Sequence, residues 1–252
     1  MASLERPDAV RVDGVRGCNL VGTETVRCSS KEDICMRYLA PTDIDAVKKL
    51  CREVFPIEYP DYWYSEITSN RQLFSMAAST CSDNRVIALL VAEIKTLNQC
   101  NPEDRDILAK SFPANTQVAY ILSLGVSSEF RRRGLASRLL DHFIQYLTTG
   151  FGTAGDTKAI YLHVLCENHS AIHLYQKRHF QKHATLPHYY RIDQSMRDGY
   201  TYVLYVNGGE PPWSVQECCK AAFGVLFYPL RRFVRLLTFD LRRFLVNHLA
   251  PP

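Results

Sequence analysis

The chain has 252 residues, 22% charged and 46% hydrophobic, which excludes a disordered or fibrous polypeptide and allows one domain of about 150–200 residues with extensions. Its formal net charge is +4, and residues 213–252 carry six basic and two acidic side chains, so the excess sits in the tail and the body is neutral. The nine scattered cysteines form no Cys-x-x-Cys pair and no Cys/His cluster of zinc spacing, which argues against a metal site and predicts reduced thiols in a cytosol-facing protein.

Residues 1–32 are polar and irregular, without the apolar core of a signal peptide, and are expected to form a disordered extension. Residues 34–39 read as a short strand. Thr42 is the expected N-cap of a helix through Ile44, Val47, Leu50 and Val54, ended by Phe55-Pro56. An aromatic loop follows over 55–64. Residues 73–79 and 86–95 read as a hairpin across Ser82-Asp83-Asn84, and a polar insertion spans 98–116. The run 118–126 is too apolar for an edge strand. Its alternation predicts Tyr120, Leu122, Leu124 and Val126 on one face.

Arg131-Arg132-Arg133-Gly134-Leu135-Ala136 then leads into an amphipathic helix ending near Tyr146. A buried strand, a basic loop with a glycine and a helix start form a corner suited to phosphate. The first helical amides lack partners inside the helix, and the dipole is positive there. After a loop at 150–156, residues 159–165 read as a buried strand and 168–177 as a helix. A strand near 180–185, a turn or strand edge at 186–190 and a last strand at 200–206 follow. Gly208-Gly209 and Pro211-Pro212 mark a boundary. The order predicts an α/β domain over 33–212, a mixed central sheet flanked by helices, followed by a tail over 213–252.

The pattern Arg-x-x-Gly-x-Ala at 131–136 resembles the acetyl-CoA pyrophosphate loop of the GNAT acetyltransferases. A second cluster, Asn168-x-x-Ala171-x-x-x-Tyr175 after a strand, resembles that family's pantetheine segment. The stretches FPIEYPDYWY, AYILSLGV, YLHVL, LPHYY and TYVLYVNGG extend the resemblance to the family's Golgi-associated enzymes that acetylate protein N-termini. The resemblance implies the GNAT fold, with a mixed seven-stranded sheet, and acetyl-CoA as cofactor. It implies Tyr120 and His163 as the catalytic pair. Leu124, Gly125, Val126, Arg131, Arg132, Arg133, Gly134, Leu135, Ala136 and Ser137 are then expected at the cofactor, the backbone near Leu124 facing the oxyanion. Asn168, Tyr175, Lys177 and Arg178 are expected there too, Tyr175 near the thiol. Phe55, Pro56, Ile57, Glu58, Tyr59 and Leu122 are expected to bind the acceptor, with Tyr189 and Tyr190 closing over its backbone.

The implied acceptors are protein N-termini beginning with Met, in Met-Lys, Met-Val, Met-Ala and Met-Met contexts, on membrane proteins with cytosolic N-termini. An α-amine has an ordinary pKa of about 7.7–8.0 against about 10.4 for lysine, within reach of a histidine base. Lysine side chains, histones among them, are the rival acceptors. A non-catalytic adaptor of the same fold is the rival from another class.

In the tail, Leu230, Phe233, Val234, Leu237, Leu241, Phe244 and Leu245 follow helical spacing, with Arg231, Arg232, Arg235, Arg242 and Arg243 opposite. Such helices are too interrupted to span a bilayer and suit an anionic membrane surface, here over residues 214–249. The alternation of arginines with large apolar groups argues against nucleic acid. Cys218-Cys219 is a candidate for palmitoylation. The expected location is the cytosolic side of the Golgi membrane, as a peripheral protein.

Overall fold

The computed structural model describes residues 33–149 and 154–212, and the backbone of 24–27. Eight strands form one sheet in the order β1-β2-β3-β4-β5-β6-β8-β7. They are β1 (Glu24–Arg27), β2 (Asp33–Tyr38), β3 (Leu73–Thr80), β4 (Val86–Thr96), β5 (Gln117–Val126), β6 (Ala159–Leu165), β7 (Gln181–Ile192) and β8 (Ser195–Tyr205). The helices are α1 (Ile44–Val54), α2 (Asp61–Ser69), α3 (Leu135–Thr149) and α4 (His169–Gln176). Seven strands, β2 to β8, make the expected mixed sheet. Glu24–Arg27 adds an eighth, antiparallel to β2, where an irregular extension was expected. The tail helices, the membrane segment 214–249 and Cys218-Cys219 lie outside the described residues. Among the described residues no helix is long and apolar enough to cross a membrane.

Three local readings need correction. Asp43, rather than Thr42, organises the start of α1. A 3-10 turn, Pro41–Asp43, precedes the helix, and the Asp43 carboxylate accepts from the Ala40 amide at 2.8 Å and from Arg37 at 2.7 and 2.8 Å. The aromatic loop contains α2, whose Tyr64, Ile67 and Thr68 are buried at i, i+3, i+4 spacing behind Pro60. At 186–190 the second of the two expected alternatives holds: β7 continues there as the edge strand of the sheet, with a register shift. Cys35 and Cys81 are disulfide-bonded, Cα–Cα 5.8 Å, against the expectation of reduced thiols. Cys35 faces Ser79 across the β2–β3 ladder and Cys81 follows the end of β3, so register brings the pair within bridging reach.

α3 and α4 cover one face of the sheet. Phe143, Leu139 and Leu147 of α3 are fully buried against Leu90 and Ile160, and Tyr175 of α4 joins the same cluster. α1 and α2 cover part of the other face, over Ala77, Leu89 and Val91. The rest of that face carries the insertion after β4, whose Leu97, Cys100, Ile107 and Leu108 pack on Val118, Tyr161 and Val203.

Two irregularities in β5 create the site. Between Val91↔Ser123 and Ala92↔Ile121 the β4–β5 register shifts, so Leu122 is an extra residue, a β-bulge. The bulge inverts the alternation. Tyr120 and Leu122 lie on the face of α1, α2 and the insertion, while Leu124 and Val126 pack with α3, overturning their expected common face. Among the described residues β5 and β6 are the one parallel pair, and their ladder stops at Ile121↔Leu162. Beyond that point the two strands diverge, and among the described residues the β6-facing backbone of β5 has no strand to pair with.

Candidate active site

His163 stands on β6 just past the end of the parallel ladder, its side chain only 2% exposed. Nε2 lies 2.8 Å from Asp104 Oδ1. Nδ1 lies 3.1 Å from the Tyr120 hydroxyl and 2.8 Å from the Tyr189 hydroxyl. An ionised carboxylate only accepts, so Nε2–H donates to Asp104 and Nδ1 is left as the acceptor. One ring lone pair serves two phenols, so at any moment one phenol can turn to a bound acceptor amine. Burial holds the Tyr120 phenol well above its ordinary pKa, and burial with the Asp104 charge pushes Tyr189 up to about 12. Both are therefore neutral donors near physiological pH. The grouping can take a proton from an amine and stabilise the resulting imidazolium against the Asp104 carboxylate.

Tyr120 and His163 are thus brought together as the sequence implied. Asp104 is the residue that sequence reading missed. It ends the 3-10 turn Pro102–Asp104 in the polar insertion, fully buried, and its second oxygen has no partner among the described residues. The available signal was an acidic run, Glu103-Asp104-Arg105-Asp106, in a segment otherwise read as surface.

The phosphate corner takes its expected form. Arg131, Arg132, Arg133 and Gly134 are exposed ahead of α3. Gly134 has φ +81°, and a Cβ there would meet nothing within 4 Å, which leaves the backbone open to close approach by a ligand. Arg132 also has positive φ, 63°. The residues present fit a pyrophosphate: the first amides of a 15-residue helix, which have no acceptor within the helix itself, with arginine charge beside them. Arg131 Nε donates to the Val126 carbonyl at 3.2 Å, which holds this loop against the end of β5.

The other residues expected at the cofactor take the following positions. Leu135 is buried in the core, so only its backbone can face a ligand, while Ala136 and Ser137 are half-buried. Asn168 caps α4, accepting from the Ala171 amide at 3.2 Å. Tyr175 is 6% exposed with its ring 5.5 Å from that of Phe180, and burial raises its phenol pKa. Arg178 is engaged by Asp141 through two bonds of 2.6 and 2.9 Å, which clamp α4 to α3. Lys177 is exposed at the end of α4.

On the acceptor side, the loop after α1 is held from below. Phe55 and Val54 press on Gly125, where a Cβ would lie 2.9 Å from each. Tyr59 stacks on Trp63 with centroids 3.9 Å apart, and its hydroxyl lies 3.3 Å from Ser123 Oγ. This leaves Pro56, Ile57 and Glu58 exposed at the rim. Leu122 packs on the same helical face. Tyr189 and Tyr190 sit at the β7 register shift, where His188 has φ 54° and its amide donates to Asp198 at 2.9 Å. Gly199 lies under the pair, and a Cβ there would come within 3.0 Å of the Tyr190 ring. Trp63, Ser123 and Gly199 are supports that sequence reading did not single out.

Comparison with known proteins gives the same picture. A model described as Acetyltransferase (GNAT) family matches residues 44–180. A Danio rerio protein named N-alpha-acetyltransferase 60 is 52% identical over 194 residues, covering 77% of this chain and 78% of its own length. A Drosophila melanogaster protein of that name is 40% identical over 221 residues, with 79% of each chain covered. The crystal structure of Arabidopsis thaliana NAA60 in complex with acetyl-CoA has a TM-score of 0.61 and 28% identity, over 69% of this chain and 99% of that one.

Proposed function

Because the chain belongs to the GNAT acetyltransferase family, as an acetyl-CoA-dependent enzyme acting on protein N-termini, we propose that its acceptors begin with Met and that Tyr120 and His163 carry the proton transfer. The observation that carries this reading is His163, nearly buried, with Asp104 on one nitrogen and two phenols on the other.

Acetyl-CoA supplies the acetyl group as a thioester. Gly134 and the first turn of α3 would hold its pyrophosphate, with Arg131 to Arg133 adding charge. The α-amine loses a proton to His163 Nδ1 through Tyr120 or an intervening water, and its nitrogen bonds to the acetyl carbon as the C–S bond breaks. The β5 backbone near Leu124, free of β6, accepts no strand and can face the carbonyl oxygen. Tyr175, kept protonated by burial, is the donor to the departing sulfur. An α-amine needs less help than lysine, by about 2.5 pKa units.

The apolar rim at Pro56 and Ile57 suits a Met side chain, and Glu58 suits a basic second residue. The preferred contexts are Met-Lys, Met-Val, Met-Ala and Met-Met on membrane proteins with cytosolic N-termini. Residues 214–249 hold the enzyme on the cytosolic face of an anionic membrane, that of the Golgi. The test is a peptide panel with Met-Lys, Met-Val, Ser and Glu starts, plus a blocked peptide carrying free lysines. Activity confined to the Met starts is expected. Full activity on the blocked, lysine-bearing peptide would instead make this a lysine acetyltransferase, with histones among its substrates. Deleting residues 214–252 should release the protein from membranes; unchanged location would remove the anchor.

A further inference from the structure

Glu53 lies in the last turn of α1, where the helix dipole disfavours an anion. Its carboxylate is nevertheless engaged four ways. Oε1 accepts from the Ser128 amide at 2.7 Å, from the Ser128 hydroxyl at 2.7 Å and from the Ser127 hydroxyl at 3.0 Å, and Oε2 lies 3.2 Å from that Ser127 hydroxyl. The Ser128 amide, with the two hydroxyls, holds the carboxyl below its ordinary pKa. The partners are far apart in sequence but decisive in position. Two residues after Glu53 the acceptor loop begins at Phe55. Three residues after Ser128 the phosphate loop begins at Arg131. Phe55 and Val54 also press on Gly125, so the end of α1 and the end of β5 meet through packing as well as through hydrogen bonds.

We infer that Glu53 is a positioning residue that couples the acceptor loop to the cofactor loop, so that occupation of the phosphate corner sets the acceptor pocket and raises its affinity. The end of α1, from which the acceptor loop leaves, cannot shift relative to Ser127 and Ser128, from which the cofactor loop follows, without breaking the Glu53 bonds. Coupling of this kind is reciprocal, and a factor of about ten is within its ordinary range. The inference rests on the assignment of residues 55–59 to the peptide and 131–136 to the cofactor.

The test measures, on the full chain, the affinity of a fluorescent Met-Lys peptide with and without CoA. Wild type should bind the peptide about tenfold more tightly in the presence of CoA. Glu53→Ala should bring that factor close to one while each ligand alone still binds. Glu53→Gln keeps a carbonyl oxygen able to accept from the Ser128 amide and from one hydroxyl, and should retain most of the coupling. Ser128→Ala removes one hydroxyl, leaves the amide donor, and should give an intermediate factor without altering α1, a check if Glu53→Ala folds poorly. Equal coupling in wild type and Glu53→Ala, no coupling in wild type, or loss in Glu53→Gln as complete as in Glu53→Ala overturns the inference alone. A wild-type chain that binds neither CoA nor the peptide overturns the functional reading beneath it.

Discussion

The two ends of the β5–β6 cleft are built by different means. At the base end, Tyr120, His163, Asp104 and Tyr189 come from β5, β6, the insertion and β7, and each contributes a side chain to one hydrogen-bonded group. At the phosphate corner, one continuous segment from Val126 to Ser137 supplies backbone amides at a helix start, with exposed arginines around them. The first design depends on side-chain chemistry in a buried setting, where unpaired polar groups are costly. The second depends on a backbone conformation, and tolerates change in side chains that do not set it. The two ends should therefore fail differently when altered.

The largest effect belongs to the base end. His163→Ala removes the acceptor nitrogen and should lower kcat/KM by about 10²–10⁴-fold. Binding of CoA, measured by calorimetry, should be unchanged. A variant that lost CoA affinity in parallel with rate would erase the distinction between the two ends.

Asp104→Asn comes next. It keeps the size but replaces a charged hydrogen bond by a neutral one. A hydrogen bond to a charged group contributes about 1.5–3 kcal/mol, so kcat should fall on the order of ten- to a hundredfold. The KM for acetyl-CoA should stay near that of wild type. A rate within twofold of wild type would show that Asp104 only fills space.

Gly134→Ala probes the corner. A side chain in the left-handed region costs about 1–2 kcal/mol, and the space for a Cβ is open, so the cost is conformational rather than a clash. The affinity for CoA should fall about tenfold, with kcat at saturating acetyl-CoA little changed. The opposite split, with kcat falling and KM constant, would place Gly134 at the chemistry instead.

This contrast also explains what could be read in the sequence. The corner was legible because its parts are contiguous: an apolar strand, an arginine run, Gly134 and a helix. β6 was legible to the residue, since AIYLHVL is an apolar run between polar loops. The base end was legible only in part. Tyr120 and His163 followed from a resemblance, but Asp104 lies 59 residues from its partner and looks like surface in a polar insertion. The Leu122 bulge has no signature of its own: period-two reading carries straight through it and assigns Leu124 and Val126 to the wrong face. α2 was hidden by aromatic residues, which favour strands and loops by propensity yet here bury Tyr64 and stack Trp63 on Tyr59. Register produced the Cys35–Cys81 pairing, and spacing alone could not announce it.

The smallest expected effect lies where the acceptor loop meets the phosphate corner. Glu53 titrates below an ordinary carboxyl because the ionised form accepts from the Ser128 amide and the two hydroxyls. A folded pKa below the unfolded one contributes stability that is fully present above the unfolded value, about 4.3, and is lost as pH falls through the folded one. The group is largely exposed, so solvent screening limits that contribution to a few tenths of a kcal/mol, roughly the scale of a surface ion pair. The difference in urea stability between wild type and Glu53→Gln should thus be constant from about pH 8 to 5 and shrink below about pH 4. A difference that changed across pH 5–8 would mean that another group, and not this carboxylate, ties the acceptor loop to the cofactor corner.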